Sequence, residues 1–433
     1  MSPELRRIAE KARTDRRVQF TSVAHLITVE ALEEAWRALK KRSSAGIDGV
    51  TAAEYERDLR GNLERLHERL RRGRYVAPPV RRAYVPKAGG SSRPIGVPTI
   101  EDKIVQAAVA RILSAIYEAD FLPCSYGFRP GRSAHQALEA LDQAIFRGRV
   151  SWVLDADISA FFDSMDHGVL RQFLEYRVKD RSLLRLIAKW LHAGVLEDGV
   201  VFHPVTGTPQ GGVISPILSN VYLHYALDLW AEQVMRPQLR GEFYMARYAD
   251  DGVFAFQYRD DAEWFAAALR GRLGKFGLRL NEAKTRLIEF GRFAAGNAVR
   301  RNRKLETFDF LGFTHSCGTS RTGRFKVLRR TAATRLRRAI TRVTAWCRAH
   351  RHLPVPEQWR YLCSVLRGHY QYYGITGNIA SLRGFLAQVT RVWRKWLDRR
   401  SQRGRMSWER FGQLLLRHPL PAAWLPHSVY RTA

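Results

Sequence analysis

An α+β fold is what the sequence predicts, on three observations. Helical spacing of apolar residues fills both ends of the chain, strand signals concentrate in two central stretches, and one further hairpin precedes them. Leu32 to Arg42 and Tyr55 to Arg72 carry apolar residues three and four apart, with Ser43 to Gly49 as the loop between them. Arg81 to Val85 and Arg93 to Val97 flank Ala88-Gly89-Gly90-Ser91-Ser92 as a hairpin. Thr99 is placed to cap a helix whose third residue is Asp102 and whose apolar face runs through Ile104, Val105, Ile112 and Ile116. Trp152 to Ile158 reads as a strand, and Phe243 to Gln257 as two short strands meeting at Ala249-Asp250-Asp251-Gly252. From Arg329 on, the chain returns to helices, with Leu336, Ile340, Val343 and Cys347 forming one stripe.

Charge sets the class of partner. The 433 residues hold 72 Lys plus Arg against 41 Asp plus Glu, a net +31. Hydrophobic residues still make up 45% and aromatics 11%, so the chain buries a core and is not a disordered basic tail. A surplus this large on a foldable chain points to a polyanion, nucleic acid before an acidic membrane surface. It is unevenly spread: Arg329 to Ala433 contains 21 Lys or Arg, 3 acidic residues and six tryptophans.

Other classes are set aside. Cys124, Cys317, Cys347 and Cys363 show no paired spacing, so neither a disulfide framework nor a zinc ribbon is expected, and Cys347, His350, His352 and Cys363 read as helix residues rather than as metal ligands. Met1 to Arg17 is charged throughout and has no apolar core of a leader peptide. Gly199 to Leu227 contains no Asp, Glu, Lys or Arg, yet Pro204, Pro209, Pro216 and four glycines exclude a membrane helix there. Such an uncharged, Gly/Pro-punctuated loop implies close packing or a ligand brought near the backbone.

Within this basic chain lies an acidic island. Asp155, Asp157, Asp163 and Asp166 fall between Trp152 and Leu170 with no lysine or arginine among them. Asp155 and Asp157, two apart on a strand, project from one face. Asp163 is expected to cap a helix over Ser164 to Tyr176. Asp250 and Asp251 sit at the tip of an apolar hairpin, a place equally suited to a solvated turn. Carboxylates on buried strands repel one another and are costly to desolvate unless a cation is present. Hard oxygen donors beside a polyanionic partner point to Mg²⁺, and two acidic strands, a glycine loop and a basic domain are the parts of a two-metal phosphoryl-transfer site.

Tyr248-Ala249-Asp250-Asp251 resembles the catalytic Y-x-D-D hairpin of reverse transcriptases, and Asp157-Ile158-Ser159-Ala160-Phe161-Phe162-Asp163 resembles their first catalytic strand. Further matches follow in family order: Ser44 to Val50, Val85-Pro86-Lys87 with Arg93-Pro94, Ser125 to Ser133, and Thr208-Pro209-Gln210-Gly211-Gly212 with Ser215-Pro216. Leu280 to Thr285, Phe310-Leu311-Gly312-Phe313 and Gly368 to Gly374 complete a set that resembles the group II intron reverse transcriptase/maturase family over most of the chain.

The resemblance implies a right-hand polymerase: residues 1–75 as a helical N-terminal extension carrying the first motif loop, 76–320 as fingers and palm, and 321–433 as a basic helical thumb or maturase domain with a short C-terminal segment, the boundary lying near Gly318 to Gly323. It implies RNA-directed DNA synthesis, with Asp157, Asp250 and Asp251 binding two Mg²⁺ ions. Lys87 and Arg93 would hold the triphosphate, Gln210 and Gly211 would support the nascent base pair, and Lys284 would sit near the phosphates or serve as an ordinary surface lysine. Phe161 or Phe162 would press on the sugar and disfavour a 2′-hydroxyl, the other being a core residue.

Partners implied are an RNA template or intron RNA, a DNA or RNA primer and deoxynucleoside triphosphates, with no membrane, in a cytoplasmic, nucleoid-associated setting. No paired Cys and His cluster follows the tail, which under the resemblance implies the form without a C-terminal endonuclease. A splicing-only RNA-binding maturase and a domesticated reverse transcriptase in defence or repair stay open beside this reading.

Overall fold

The computed structural model describes residues 2–86, 92–197, 199–202, 206–207, 211–320, 322–401 and 405–427. It divides into two compact units, one of Met1–Ala137 with Leu154–Leu287, the other of Leu138–Val153 with Ile288–Ala433.

The first unit opens with α1 (Pro3–Thr14), α2 (Val29–Ala38), α3 (Ala52–Glu56) and α4 (Leu59–Arg71). The helix expected from Tyr55 to Arg72 is two helices: a capping box of Thr51 and Glu54 starts α3, and the Asp58 side chain accepts from Gly61 N to restart the chain as α4. β1 (Val80–Pro86) and β2 (Ser92–Val97) pair antiparallel, Arg81 opposite Val97 and Pro86 opposite Ser92. α5 (Ile100–Tyr117) is capped by Thr99, whose hydroxyl accepts from Asp102 N, and it is buried on nearly every face against α1 and α2. Its Lys103 donates to the Ser44 carbonyl at 2.7 Å while Arg81 donates to that of Ala45 at 2.9 Å, so the loop before α3 is clasped from two elements.

Next come α6 (Ala134–Arg147), β3 (Trp152–Ser159), α7 (Phe161–Ser164), α8 (His167–Glu175), α9 (Arg181–Leu191), β4 (Val195–Glu197) and β5 (Val200–Phe202). Asp163 is not the expected cap. Ala160 turns left-handed at φ +46°, Asp163 falls inside the single turn α7, and Asp166 caps α8 by accepting from Val169 N at 2.8 Å. α10 (Ser215–Leu223) continues as π-helix over His224–Asp228 and Trp230–Met235. β6 (Phe243–Tyr248), β7 (Asp251–Phe256), α11 (Arg259–Gly274), β8 (Arg279–Leu280) and β9 (Arg286–Glu289) follow. One sheet runs β2-β1-β4-β5, another β6-β7-β3-β8, and the latter sets the two acidic segments on adjacent strands.

In the second unit, α12 (Ala294–Arg300) precedes a meander of β10 (Thr307–Phe310), β11 (Phe313–Thr319) and β12 (Phe325–Thr331), all antiparallel. Gly318 lies near the end of β11 and Gly323 in the turn of the β11–β12 hairpin, and the two compact units meet along the chain between Leu287 and Ile288. α13 (Ala333–Ala349), α14 (Val355–Tyr373), α15 (Ile379–Asp398) and α16 (Trp408–Arg417) close around Val343, Leu366, Phe385, Trp393 and Phe411. Each such side chain contributes about 1.5–3 kcal/mol on burial. The indole N–H of Trp393 donates to Gln358 at 3.0 Å, so the bundle's largest buried ring leaves no donor unmet. Cys347 and Cys363 are buried there, and no group of three His, Cys, Asp or Glu is arranged to hold a metal among the described residues. Asn378, fully buried, accepts from Thr331 N at 3.0 Å and donates to Thr331 Oγ1 and the Tyr373 carbonyl at 2.8 Å, tying β12 to the bundle.

Candidate active site

β3 alternates so that Leu154, Ala156 and Ile158 are buried on one face while Asp155 and Asp157 stand half-buried on the other. Asp157 is held by the segment after α11. Its carbonyl accepts from Asn281 N at 2.8 Å, and its carboxylate accepts from Asn281 Nδ2 at 3.1 Å and Lys284 Nζ at 2.9 Å.

Asp250 arrives on the two-residue turn between β6 and β7, where Tyr248 pairs with Asp251. Ala249, the first turn residue, has φ +57°, a conformation that turns of this length demand and that L-residues resist. Burial lifts the Asp250 carboxyl above the usual range and the Asp157 charge adds to this, while the cations of Arg93 and Arg247 pull it back. Asp157, Asp250 and Arg93, predicted from distant stretches, therefore act on one another. Asp251 opens β7 as an exposed residue.

The turn is secured by a side chain the sequence reading passed over. Arg247, 0% exposed, spends all five N–H groups: two on Asp228 at 2.7 and 2.6 Å, and the others on Asn220, Ser125 and the Ala249 carbonyl. The π-helical winding after α10 is where Asp228 lies. A signal existed, since Asp228 is the first charge after the uncharged run and Arg247 interrupts an apolar strand just before Tyr248. From the other side, a Cβ on Gly127 would come within 2.4 Å of Ala249 N, so only glycine lets the 124–128 loop back the turn.

The remaining predicted residues divide. Phe161 is 2% exposed, edge-on to Tyr222 and Phe162, and belongs to the core; Phe162 is half-buried and keeps an accessible side. Gly211 has φ +116°, and a Cβ there would meet the Gly96 carbonyl oxygen at 2.5 Å, so the close approach it permits is to β2. Lys284, read equally as a surface lysine, is paired with Asp157. Lys87 and Gln210 lie outside the described residues.

Two hard carboxylates, Asp157 on β3 and Asp250 on the turn into the neighbouring β7, the latter raised by burial and by its like-charged neighbour, fit a divalent cation. Mg²⁺ is commonly held by one or two carboxylates with substrate phosphates and water completing its shell.

A family model described as reverse transcriptase (RNA-dependent DNA polymerase) matches residues 85–315, and the group II intron-encoded protein LtrA of Lactococcus lactis subsp. cremoris is 35% identical over 222 residues, 51% of this chain and 37% of its own. The chain belongs to the group II intron reverse transcriptase family. Protein YkfC of Escherichia coli (strain K12) is 34% identical over 336 residues, covering 69% of this chain and 88% of that protein. An uncharacterized 91 kDa protein in the cob intron of Schizosaccharomyces pombe is 40% identical over 172 residues, 21% of its length. The chain thus spans about a third or less of the length of these two intron-named relatives. Reverse transcriptases are RNA-directed DNA polymerases with the right-hand fold, and that is the enzyme class of this chain. No helix among the described residues is long and apolar enough to cross a membrane.

Proposed function

We propose that this chain copies an RNA template into DNA at Asp157 and Asp250, and that its template includes the RNA of a group II intron whose splicing and mobility it assists. The observation that carries the reading is the placement of two carboxylates together, Asp157 near the end of β3 and Asp250 on the turn that leads into the adjacent strand β7. Asp157 and Asp250, with Asp251 beside them, would hold two Mg²⁺ ions. When bound, the metal supplies a lowered pKa at the primer 3′-hydroxyl and neutralises charge on the departing pyrophosphate.

The chain's own residues do the placing. The primer 3′-oxygen attacks the α-phosphate of a deoxynucleoside triphosphate, the bond to the β-phosphate's bridging oxygen breaks, and pyrophosphate leaves. Arg93, whose charge reaches Asp250, would hold the triphosphate from the fingers together with Lys87. Lys284 neutralises Asp157 and would meet phosphate oxygens when they arrive. Phe162 would lie against the sugar, while Gly211 and Gln210 would support the new base pair. The basic helices from α13 on would grip the nucleic-acid backbone as a thumb.

Primer extension on an RNA template with Mg²⁺ tests the reading. Wild-type protein extends the primer and Asp250→Asn does not; equal extension by both overturns the assignment. Stimulated splicing of a group II intron by a chain that extends no primer would favour the splicing-only maturase instead.

A further inference from the structure

Phe128 is placed where a phenylalanine has least reason to be. Its backbone is left-handed at φ +56°, a region that bulky L-residues avoid, and its ring is 58% exposed, so neither backbone ease nor burial accounts for it. Backbone strain of this sort persists only where surrounding contacts impose it.

Those contacts are present on both sides. Arg247 N donates to the Cys124 carbonyl and Tyr126 N to the Arg247 carbonyl, each at 2.8 Å, which lays the loop parallel to the end of β6. Asn220 Nδ2 donates to the Gly127 carbonyl at 2.8 Å, and Gly127 itself abuts the backbone of Ala249. On the far side Arg129, 8% exposed, donates to the carbonyls of Leu122 and Ser125 at 2.8 and 2.7 Å. Phe128 is thus fixed between two anchors, its ring centroid 6.2 Å from that of Tyr248 and tilted by 44°.

We propose that Phe128 and Tyr248 form an aromatic shelf that seats the terminal nucleotides of the primer strand beside the catalytic turn. The inference rests on the polymerase reading, since it takes the primer 3′-oxygen to meet the α-phosphate at Asp157 and Asp250. The nucleotide bearing that oxygen must then pass over the turn that Tyr248 opens. A polymerase accepts every sequence, so its hold on the terminus has to be blind to the base. Aromatic faces against sugars and bases provide such a hold, while hydrogen bonds to base edges would not. The backbone beneath the ring is fixed in advance for that contact, so little main-chain freedom is left to lose on binding.

The experiment uses the full chain and a recessed primer–template whose primer ends in a dideoxynucleotide, so that contact is read without chemistry. With p-benzoylphenylalanine in place of Phe128, irradiation should join the protein to the last two nucleotides of the primer. Crosslinks confined to the template, or none, overturn the shelf. In parallel, Phe128→Asn should weaken primer–template binding about tenfold and leave single-stranded template binding unchanged. Its Tm should not fall, because Asn tolerates the left-handed backbone better than Phe. Phe128→Tyr should restore affinity. Full affinity in the Asn variant, or a Tm that falls with affinity and is not restored by Tyr, shows that the ring is no contact. Should wild type bind and crosslink to the primer terminus yet extend no primer, the shelf stands and the polymerase reading falls.

Discussion

The guanidinium of Arg247 and the carboxylate of Asp228 meet in a two-pronged pair, 2.7 and 2.6 Å, with both side chains sealed from solvent. The same guanidinium holds the Ala249 carbonyl at 2.8 Å, so the charge pair and the turn that carries Asp250 are one assembly. Removing one partner leaves a buried charge unmet. Asp228→Asn or Arg247→Met should therefore lower stability by about 3–5 kcal/mol in urea denaturation. The double replacement Arg247→Met with Asp228→Leu should recover much of that stability. It should not recover primer extension, because nothing then secures the turn. A double variant as active as wild type would refute the coupling.

Phe161 and Phe162 are adjacent but answer different questions. Phe161→Ala hollows the core beside Tyr222 and should cost about 3–5 kcal/mol, read as a lower denaturation midpoint. Phe162→Ala should leave the midpoint nearly unchanged and raise ribonucleotide incorporation about tenfold or more relative to deoxynucleotides. Unaltered sugar selection in Phe162→Ala removes that residue from the gate.

His315 gives the second unit a dependence on pH. The ring is 1% exposed, stacked on Phe308 at 4.7 Å, with Nδ1 near the Phe313 carbonyl and no partner for Nε2 among the described residues. Burial, reinforced by the Arg329 charge, pushes its pKa down to about 3. The unfolded chain takes up a proton near pH 6.5 and the folded one does not until about pH 3. The histidine's contribution is thus intact above pH 6.5 and is lost as pH falls towards 3, by about 1.4 kcal/mol per pH unit across that window. His315→Phe preserves a flat ring against Phe308 and should flatten the dependence between pH 6 and 4. Equal slopes in variant and wild type would contradict this.

Arg335, Arg337, Arg338, Arg342 and Arg348 lie exposed along α13, opposite the face that buries Val343 and Cys347. If that face meets phosphates, RNA affinity should fall steeply between 50 and 200 mM salt, with each contact contributing roughly 0.7 to 0.9 to the logarithmic slope. Replacing Arg337 and Arg338 by Gln should shallow the slope by about 1 to 2. An affinity flat over that range would exclude a phosphate grip.

Much of this molecule is legible from periodicity and local chemistry, because these act over a few residues. The stripe through Val343 and Cys347, the cap at Thr99, the hairpin at Arg81 to Val97 and the turn at Ala249-Asp250 all follow from short-range rules. Local rules also mislead where two candidates compete: Asp163 and Asp166 are both plausible caps, and the left-handed Ala160 decides between them. What the sequence hides is pairing at a distance. Arg247 finds Asp228 through a π-helical detour, and Gly127 finds Ala249 across 122 positions, so neither leaves a spacing to read. The split of Phe161 from Phe162 and the exposure of Asp251 likewise depend on which neighbours fold over them.

Asn378 joins the end of β12 to the α14–α15 corner through three hydrogen bonds from one buried amide. The meander and the helical bundle of the second unit consequently cannot loosen one at a time. Opening either would strand that amide, or the Thr331 N–H, without a partner. In a hydrogen-exchange experiment the Thr331 amide should be released only together with the bundle interior, as one cooperative unit. The second unit therefore has no internal seam between its sheet and its helices, and force applied to one is carried by the other.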